Sequence, residues 1–173
     1  MSTHGHAATL GLSEREAAAL GDDAATRVRV FRLLILLTQE LRTAMDELLR
    51  SDDLTTQQAA LTTVVDAIGS PSMSQAAAAL GTTHQNVKQL ASALERKGFL
   101  RFDADEADGR VRRLVTTPKG RETWRRRSAS DQEHILDWFS CLSPAEAQQL
   151  FEFLVRLEGQ IRARLAGMKH GEA

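Results

Sequence analysis

One cysteine, three prolines and no tyrosine stand among 173 residues. A single thiol, Cys141, forms no internal disulfide, which excludes a disulfide-stapled scaffold and makes a cytosolic setting the expectation. No apolar run approaches the ~18 residues needed to span a bilayer. Leu33 to Leu37 already ends at Thr38, and the first residues lack a basic-then-apolar export pattern, so no membrane partner is expected. There is no P-loop, no dinucleotide fingerprint and no nucleophile–base pair, so neither an enzyme nor a cofactor is expected. His4, His6, His84, His134 and His170 show no metal spacing on one helix. With Met1 removed, Ser2-Thr3-His4 would chelate copper or nickel only weakly and incidentally, so no metal site is expected.

What is present points to helices. Apolar residues make up 42%, enough for a core in a chain of one ordinary domain. Alanine, leucine, arginine and glutamate are abundant, and all favour helix or tolerate it well. The net charge of −1 hides a dipole. Between Thr82 and Arg127 stand twelve basic and six acidic residues, a surplus of six positive charges, which leaves the remainder at −7. One basic face for a polyanion on an otherwise acidic body is the simplest reading.

Residues 1–23 read as an N-terminal extension, with Ser13-Glu14-Arg15-Glu16 as a capping box for a short helix ending at Gly21. A long helix follows over Ala24 to Arg50, apolar on more than one side and so in need of more than one packing partner. Thr55 or Thr56 caps a second helix ending near Ile68, which Gly69-Ser70-Pro71 breaks. Ser72 caps a short helix, Met73 to Leu80, closed by Gly81. Thr82 or Thr83 starts another, running to about Lys97, and two short helices joined by a tight turn form a helix-turn-helix. Strands over Leu100 to Asp103 and Val111 to Thr116 flank a polar loop with the turn pair Asp108-Gly109, giving a hairpin, or wing. Thr117-Pro118 opens a helix to about Ser140, and the box Ser143-Pro144-Ala145-Glu146 opens the last, to about Ala166. The fold class is mainly α with a small β-wing. Residues 51–117 form a winged helix-turn-helix lobe, and residues 24–50 and 118–173 form N- and C-terminal dimerisation helices.

The helix after Thr83 carries the functional signal. Val87, Leu90, Ala91 and Leu94 share one face, and Gln85, Lys88, Gln89, Ser92 and Arg96 fall opposite. No acid precedes Glu95 on that face. Amides and a lysine suit a major groove, where Gln or Asn pairs with adenine and Lys with guanine. Base reading is therefore assigned to Gln85, Asn86, Lys88 and Gln89. Thr82, Thr83, His84, Ser92 and Arg96 are assigned to phosphate, partly because backbone amides at a helix start attract anions. Arg110, Arg112 and Arg113 lie at the wing tip and along its return strand, placed for phosphate or a minor groove. The competing readings are a solvated polar face for the helix and ion pairs with Asp103 or Asp105 for Arg112 and Arg113.

From about Phe31 to Leu157 the chain resembles the MarR family of bacterial transcription regulators. The stretch that carries the resemblance is Leu80-Gly81-Thr82-Thr83, Val87, Leu90, Leu94-Glu95, then Lys97-Gly98-Phe99-Leu100, followed by Asp108-x-Arg110, Leu114 and Thr117-Pro118-Lys119-Gly120. The resemblance implies a homodimer with interlocking first and last helices, and a recognition helix and wing that bind double-stranded DNA. It also implies, for many members, release by a small aromatic or lipophilic effector, here in a crevice near Phe31, Ile35, Val65 and Trp124. Two features depart from the family. Thr116 replaces a usual aliphatic residue, and Lys88-Gln89 stand where many members carry Ser or Thr followed by Arg.

A small winged lobe cannot cover the apolar surface of the two terminal helices, so a two-fold dimer is expected to bury Leu34, Leu150, Phe151, Leu154, Leu157 and Ile161. Intramolecular packing of those helices is the alternative. Two other functions compete. One is a winged-helix module that binds protein, whose mark would be an apolar recognition face. The other is an enzyme using a dimer-interface pocket, which nothing catalytic supports; redox sensing through Cys141, which has no nearby cation to lower its pKa, is a separate alternative for control.

Overall fold

Helix ends in this chain are written in its caps. The computed structural model describes residues 14–170. Ser13, and with it the first expected capping box, and the histidines at 4 and 6 with the Ser2-Thr3-His4 chelate, lie outside the described residues. Helix α1 runs Glu14–Leu20. Gly21, at φ 75°, separates it from α2, Asp22–Leu49. The long helix thus starts two residues before the expected Ala24, because Asp22 and Asp23 place acidic charge on the positive end of the helix dipole. A 3₁₀ turn, Arg50–Asp52, and a left-handed Asp53 then turn the chain.

Thr55 caps α3, Thr56–Ile68, in a reciprocal box with Gln58. Thr56 has a different task. Its N–H and its hydroxyl donate to Asp46 Oδ1 of α2 at 2.6 and 2.7 Å, fastening the start of one helix to the flank of the other. The Thr56 N–H, and then its hydroxyl, hold the Asp46 carboxyl below its ordinary pKa. The fastening therefore persists above the usual carboxylate range and is lost only as pH falls beneath it.

Gly69 ends α3 in the left-handed region. Ser72 and Gln75 form the box that starts α4, Met73–Leu80, and Gly81 closes it at φ 62°. Helix α5 runs His84–Arg96 with Thr83 as cap. Strand β1, Leu100–Ala104, pairs antiparallel with β2, Arg112–Thr116, in the register Leu100↔Thr116, Phe102↔Leu114 and Ala104↔Arg112. β1 is one residue longer than expected and β2 starts one residue later. The segment before α4 joins the sheet edge, where Ser72 bridges Arg113 and the Leu114 N–H donates to the Pro71 carbonyl.

Leu49, Leu61, Val65, Val87, Leu94, Leu100 and Leu114 form the core of this lobe, each at 2% exposure or less. Thr116, the departure from the usual aliphatic residue, is buried too, and its hydroxyl donates to Asp66 Oδ1 of α3 at 2.5 Å. A buried hydroxyl costs little when it is hydrogen-bonded. Thr117 caps the next helix, α6, Pro118–Trp138, accepting the Gly120 N–H at 3.1 Å and donating to the Gly98 carbonyl at 2.6 Å.

Gly120 sits against backbone. A Cβ there would lie 2.5 Å from the Phe99 carbonyl oxygen and 2.8 Å from Thr116 Cγ2. Gly120→Ala is expected to destabilise the protein by about 1–3 kcal/mol, read as a lowered Tm. Gly109→Ala, where no atom approaches within 4 Å, is the control and should leave Tm nearly unchanged. Equal Tm values for the two variants would refute this packing.

Residues up to Arg121 form one compact unit and those from Glu122 a second. The division falls inside α6, between Arg121 and Glu122. The second unit holds the rest of α6 and helix α7, Pro144–His170, opened by the Ser143–Glu146 box. α6 stops two residues before the expected Ser140, and α7 extends four beyond Ala166. Every described side chain of α7 from Pro144 to Met168 is exposed. These include Leu150, Leu154, Leu157, Ile161, Leu165 and Met168, which recur every three or four residues along one stripe. On α2 of the first unit, Val30, Phe31, Leu33, Ile35 and Leu37 are likewise exposed, and Leu34 is half-buried. No described helix is long and apolar enough to cross a membrane.

Candidate nucleic-acid interface

Helix α5 is anchored by one face and displays the other. Thr83 Oγ1 accepts the Asn86 N–H at 3.1 Å and fixes the first turn. Val87, Ala91 and Leu94 have no exposed surface. Burial of these three turns Gln85, Lys88 and Gln89 outward, and all three are exposed, as are Thr83, His84 and Arg96. Thr82 and Ser92 are half-buried.

Asn86 stands apart from the other three base-reading candidates. It is half-buried, and its amide nitrogen donates to Thr82 Oγ1 at 3.0 Å. Reading adenine needs both ends of the amide, and here one end clips the turn between α4 and α5.

The wing places its cations unequally. Arg110 is exposed at the tip, and its side chain meets no partner among the described residues. Its backbone N–H donates to Asp108 Oδ1 at 3.0 Å, so Asp108 shapes the turn. Arg112 reaches the Phe102 carbonyl at 3.3 Å and lies over the Phe102 ring, 5.6 Å from its centre, while remaining exposed. Arg113 is held on two sides, by Asp105 Oδ2 at 2.5 Å and Gln75 Oε1 at 3.0 Å. Arg101 grips Asp103 with two nitrogens.

These contacts favour the ionised forms of Asp103 and Asp105. Arg101 holds Asp103 below the ordinary carboxylate range. Asp105 is lowered first by the Asp108 N–H, then by Arg113 and the Ala107 N–H. Both contributions are therefore complete above the usual carboxylate pKa of about 4 and disappear only at lower pH.

The same accounting covers the whole basic segment. Lys97 pairs with Asp53, Lys119 donates to the Lys97 carbonyl, and Arg121 donates to the Thr116 carbonyl. Arg125 pairs with Glu122 and Arg127 with Asp131, and Arg126 also has a partner. With Arg101, Arg112 and Arg113, nine of the twelve cations are engaged within the protein. Lys88 and Arg96 on α5 and Arg110 at the wing tip are the three left uncommitted among the described residues.

The other candidates lie on several elements. Phe31 and Ile35 are exposed on α2, and Val65 is core of the first unit. Trp124 belongs to the second unit, half-buried, with its Nε1 enclosed and without an acceptor. Cys141 is exposed. Among the described residues, no three metal-ligating side chains gather.

Sequence reasoning missed Gln75 and the Thr82–Asn86 clip. Ser72-x-x-Gln75 has the spacing of a capping box, so the position of Gln75 at the helix start was readable, though its second bond to Arg113 was not.

No protein-family model matches the chain, and no curated protein sequence does. Solved structures do. An S. aureus MepR–DNA complex superposes with a TM-score of 0.67 at 23% identity, over 75% of this chain and 95% of that one. A MarR/EmrR family transcriptional regulator from Acinetobacter sp. ADP1 gives 0.70 at 18% identity, over 78% and 95%. Bordetella bronchiseptica BpsR, whose DNA binding is regulated by 6-hydroxynicotinic acid, gives 0.68 at 21% identity, over 75% and 92%. At these identities the likeness is one of fold: mainly α with a two-stranded wing, as in the MarR-type transcriptional regulators.

Proposed function

We propose that this chain is a MarR-type transcription regulator that binds a near-palindromic DNA operator as a homodimer. Each α5 enters a major groove, where Gln85, Lys88 and Gln89 read base edges. Each wing tip lays Arg110 along the flanking backbone or minor groove. Thr83, His84, Ser92, Arg96 and Arg112 contact phosphate, and Asn86 and Arg113 hold the elements that carry the readers.

The observation that carries this reading is the distribution of free charge. Within the basic segment from Thr82 to Arg127, the cations without a partner among the described residues sit on the recognition helix and the wing tip, and an uncommitted cation is the group that gains most from phosphate. The polar recognition face also argues against a protein-binding winged helix, and among the described residues no three metal-ligating side chains gather. The MepR–DNA complex supports the same use of this fold.

The dimer rests on the exposed apolar stripe of α7 with Phe151, and on Leu34 of α2. Apolar side chains gain roughly 25 cal/mol per Å² on leaving water, and a second copy offers the matching surface by symmetry. Regulation of DNA binding by a small aromatic acid, as in BpsR, supports the further reading that this chain is a repressor released by a small-molecule effector. Of the residues expected near such an effector, Phe31 and Ile35 are exposed on α2 and open to it, whereas Val65 is core of the first unit and Trp124 belongs to the second.

Selection of bound duplexes from a random pool tests the whole reading. The expected product is a pair of inverted half-sites with centres about one turn, roughly 34 Å, apart, bound with an affinity that falls steeply with salt. A pool that shows no enrichment would overturn it.

A further inference from the structure

The wing is tied to the helix-turn-helix by one unbroken chain of polar contacts. It starts at α4, where Gln75 Oε1 accepts the Ser72 N–H at 2.9 Å and an Arg113 Nη1 proton at 3.0 Å. Arg113 Nε continues to Asp105 Oδ2 at 2.5 Å. The other oxygen, Asp105 Oδ1, accepts the N–H groups of Ala107 and Asp108, each at 3.0 Å. Asp108 Oδ1 then accepts the Arg110 N–H at 3.0 Å. Beside this chain, Asp105 N–H donates to the Val111 carbonyl and Val111 N–H to the Asp108 carbonyl. The tip is thereby wound into one conformation. The Asp105 side chain is only 13% exposed, although it lies in a polar loop.

We infer that Asp105, Arg113 and Gln75 are positioning residues for DNA binding, forming a brace that sets the angle of the wing and hence the placement of Arg110 relative to α4 and α5. The inference rests on the DNA-binding reading above and adds to it residues that touch no DNA. Register favours a different pairing, since Asp103, not Asp105, lies directly across from Arg113. Arg101 takes Asp103 and leaves Arg113 to join the loop to α4. A two-stranded ribbon is marginal by itself, so its tip holds a fixed position only if something outside the hairpin grips it.

The sign of one substitution separates this role from simple electrostatics. Asp105→Asn removes a negative charge from a surface that approaches phosphate, which by Coulomb attraction alone tightens binding. It also keeps an oxygen able to accept the Ala107 and Asp108 N–H groups. Loss of the brace predicts the opposite: operator affinity weaker by about five- to tenfold. In an Arg110→Ala background the same change should no longer weaken binding, because residues acting through one group are not additive. Gln75→Met, which alters no charge, should weaken binding in the same direction.

A second measurement uses no DNA. In full-length protein carrying Cys141→Ser, spin labels are placed at Ala79→Cys on α4 and Ala107→Cys on the wing, and the labelled chains are diluted with unlabelled protein. The distance distribution should be narrow, and Asp105→Asn should broaden it. An unchanged distribution, or an Asp105→Asn variant that binds the operator as tightly as the parent or more tightly, overturns the brace. A parent that binds no duplex overturns the DNA reading, and with it the positioning role, whatever the label distances show.

Discussion

Replacing Arg110 with alanine is expected to weaken binding to all duplexes alike, while replacing Lys88 changes which duplex is preferred. Arg110 is exposed and unpaired at the wing tip, and its charge serves phosphate or a narrow groove, neither of which carries a unique base code. A dimer loses two such contacts, so affinity should fall by about 10- to 100-fold and the slope of log affinity against log salt should shrink by roughly 2. Lys88 projects from the middle of the outward face of α5, and a lysine there discriminates guanine from other bases by about 1–3 kcal/mol. Lys88→Ala should flatten the preference at one position of each half-site, measured by competition between the selected operator and its single-base variants. A matched control is Arg101→Gln with Asp103→Asn, which dissolves an internal pair on the wing and should leave affinity almost unchanged. Identical effects of Lys88→Ala and Arg110→Ala on every sequence would contradict the division of labour.

The second large effect concerns assembly. Phe151→Glu combined with Leu154→Glu places two charges on the apolar stripe of α7, where Phe151 is 62% and Leu154 40% exposed in the single chain. In an isolated protomer such changes would be harmless or would improve solubility. In a dimer they bury four carboxylates without partners, which is strongly unfavourable. Sedimentation should therefore report half the parent mass at micromolar concentration. Operator affinity should fall by roughly 100-fold or more, because two linked half-site contacts become one. The parent should also show a Tm that rises with protein concentration, as an associating protein must. A double variant with the parent's mass and affinity would sink the dimer reading.

Much of this was legible because helix ends and turns use local chemistry. Ser72, Thr117 and Ser143 cap where their sequence context places them, Thr83 takes the cap that Thr82 or Thr83 offered, and Gly69, Gly81 and Gly98 take positive φ where helices stop. Val87, Ala91 and Leu94 announced their buried face by spacing alone, and that spacing fixed which side of α5 faces outward. Choices between near-equivalent partners were not legible. Asp103 and Asp105 were equal candidates for Arg113, and only the reach of Arg101 along its own strand separates them. Thr55 and Thr56 were equal candidates for one cap, and Asp46, ten residues from Thr56, decides between them. Asn86 carries a base-reading side chain but spends its amide nitrogen on Thr82, a rotamer-level fact that no periodicity encodes.

A basic segment with nine of its twelve cations already engaged holds an arbitrary duplex only lightly. Non-specific grip scales with the phosphates neutralised, and three uncommitted side chains per protomer neutralise few. On the DNA-binding reading proposed above, bulk chromosomal DNA would then be a poor competitor for the protein despite its abundance, and occupancy of the right site would depend on the margin between specific and general binding more than on tightness itself. Adding lysines to this surface would raise every affinity and blur the choice among them.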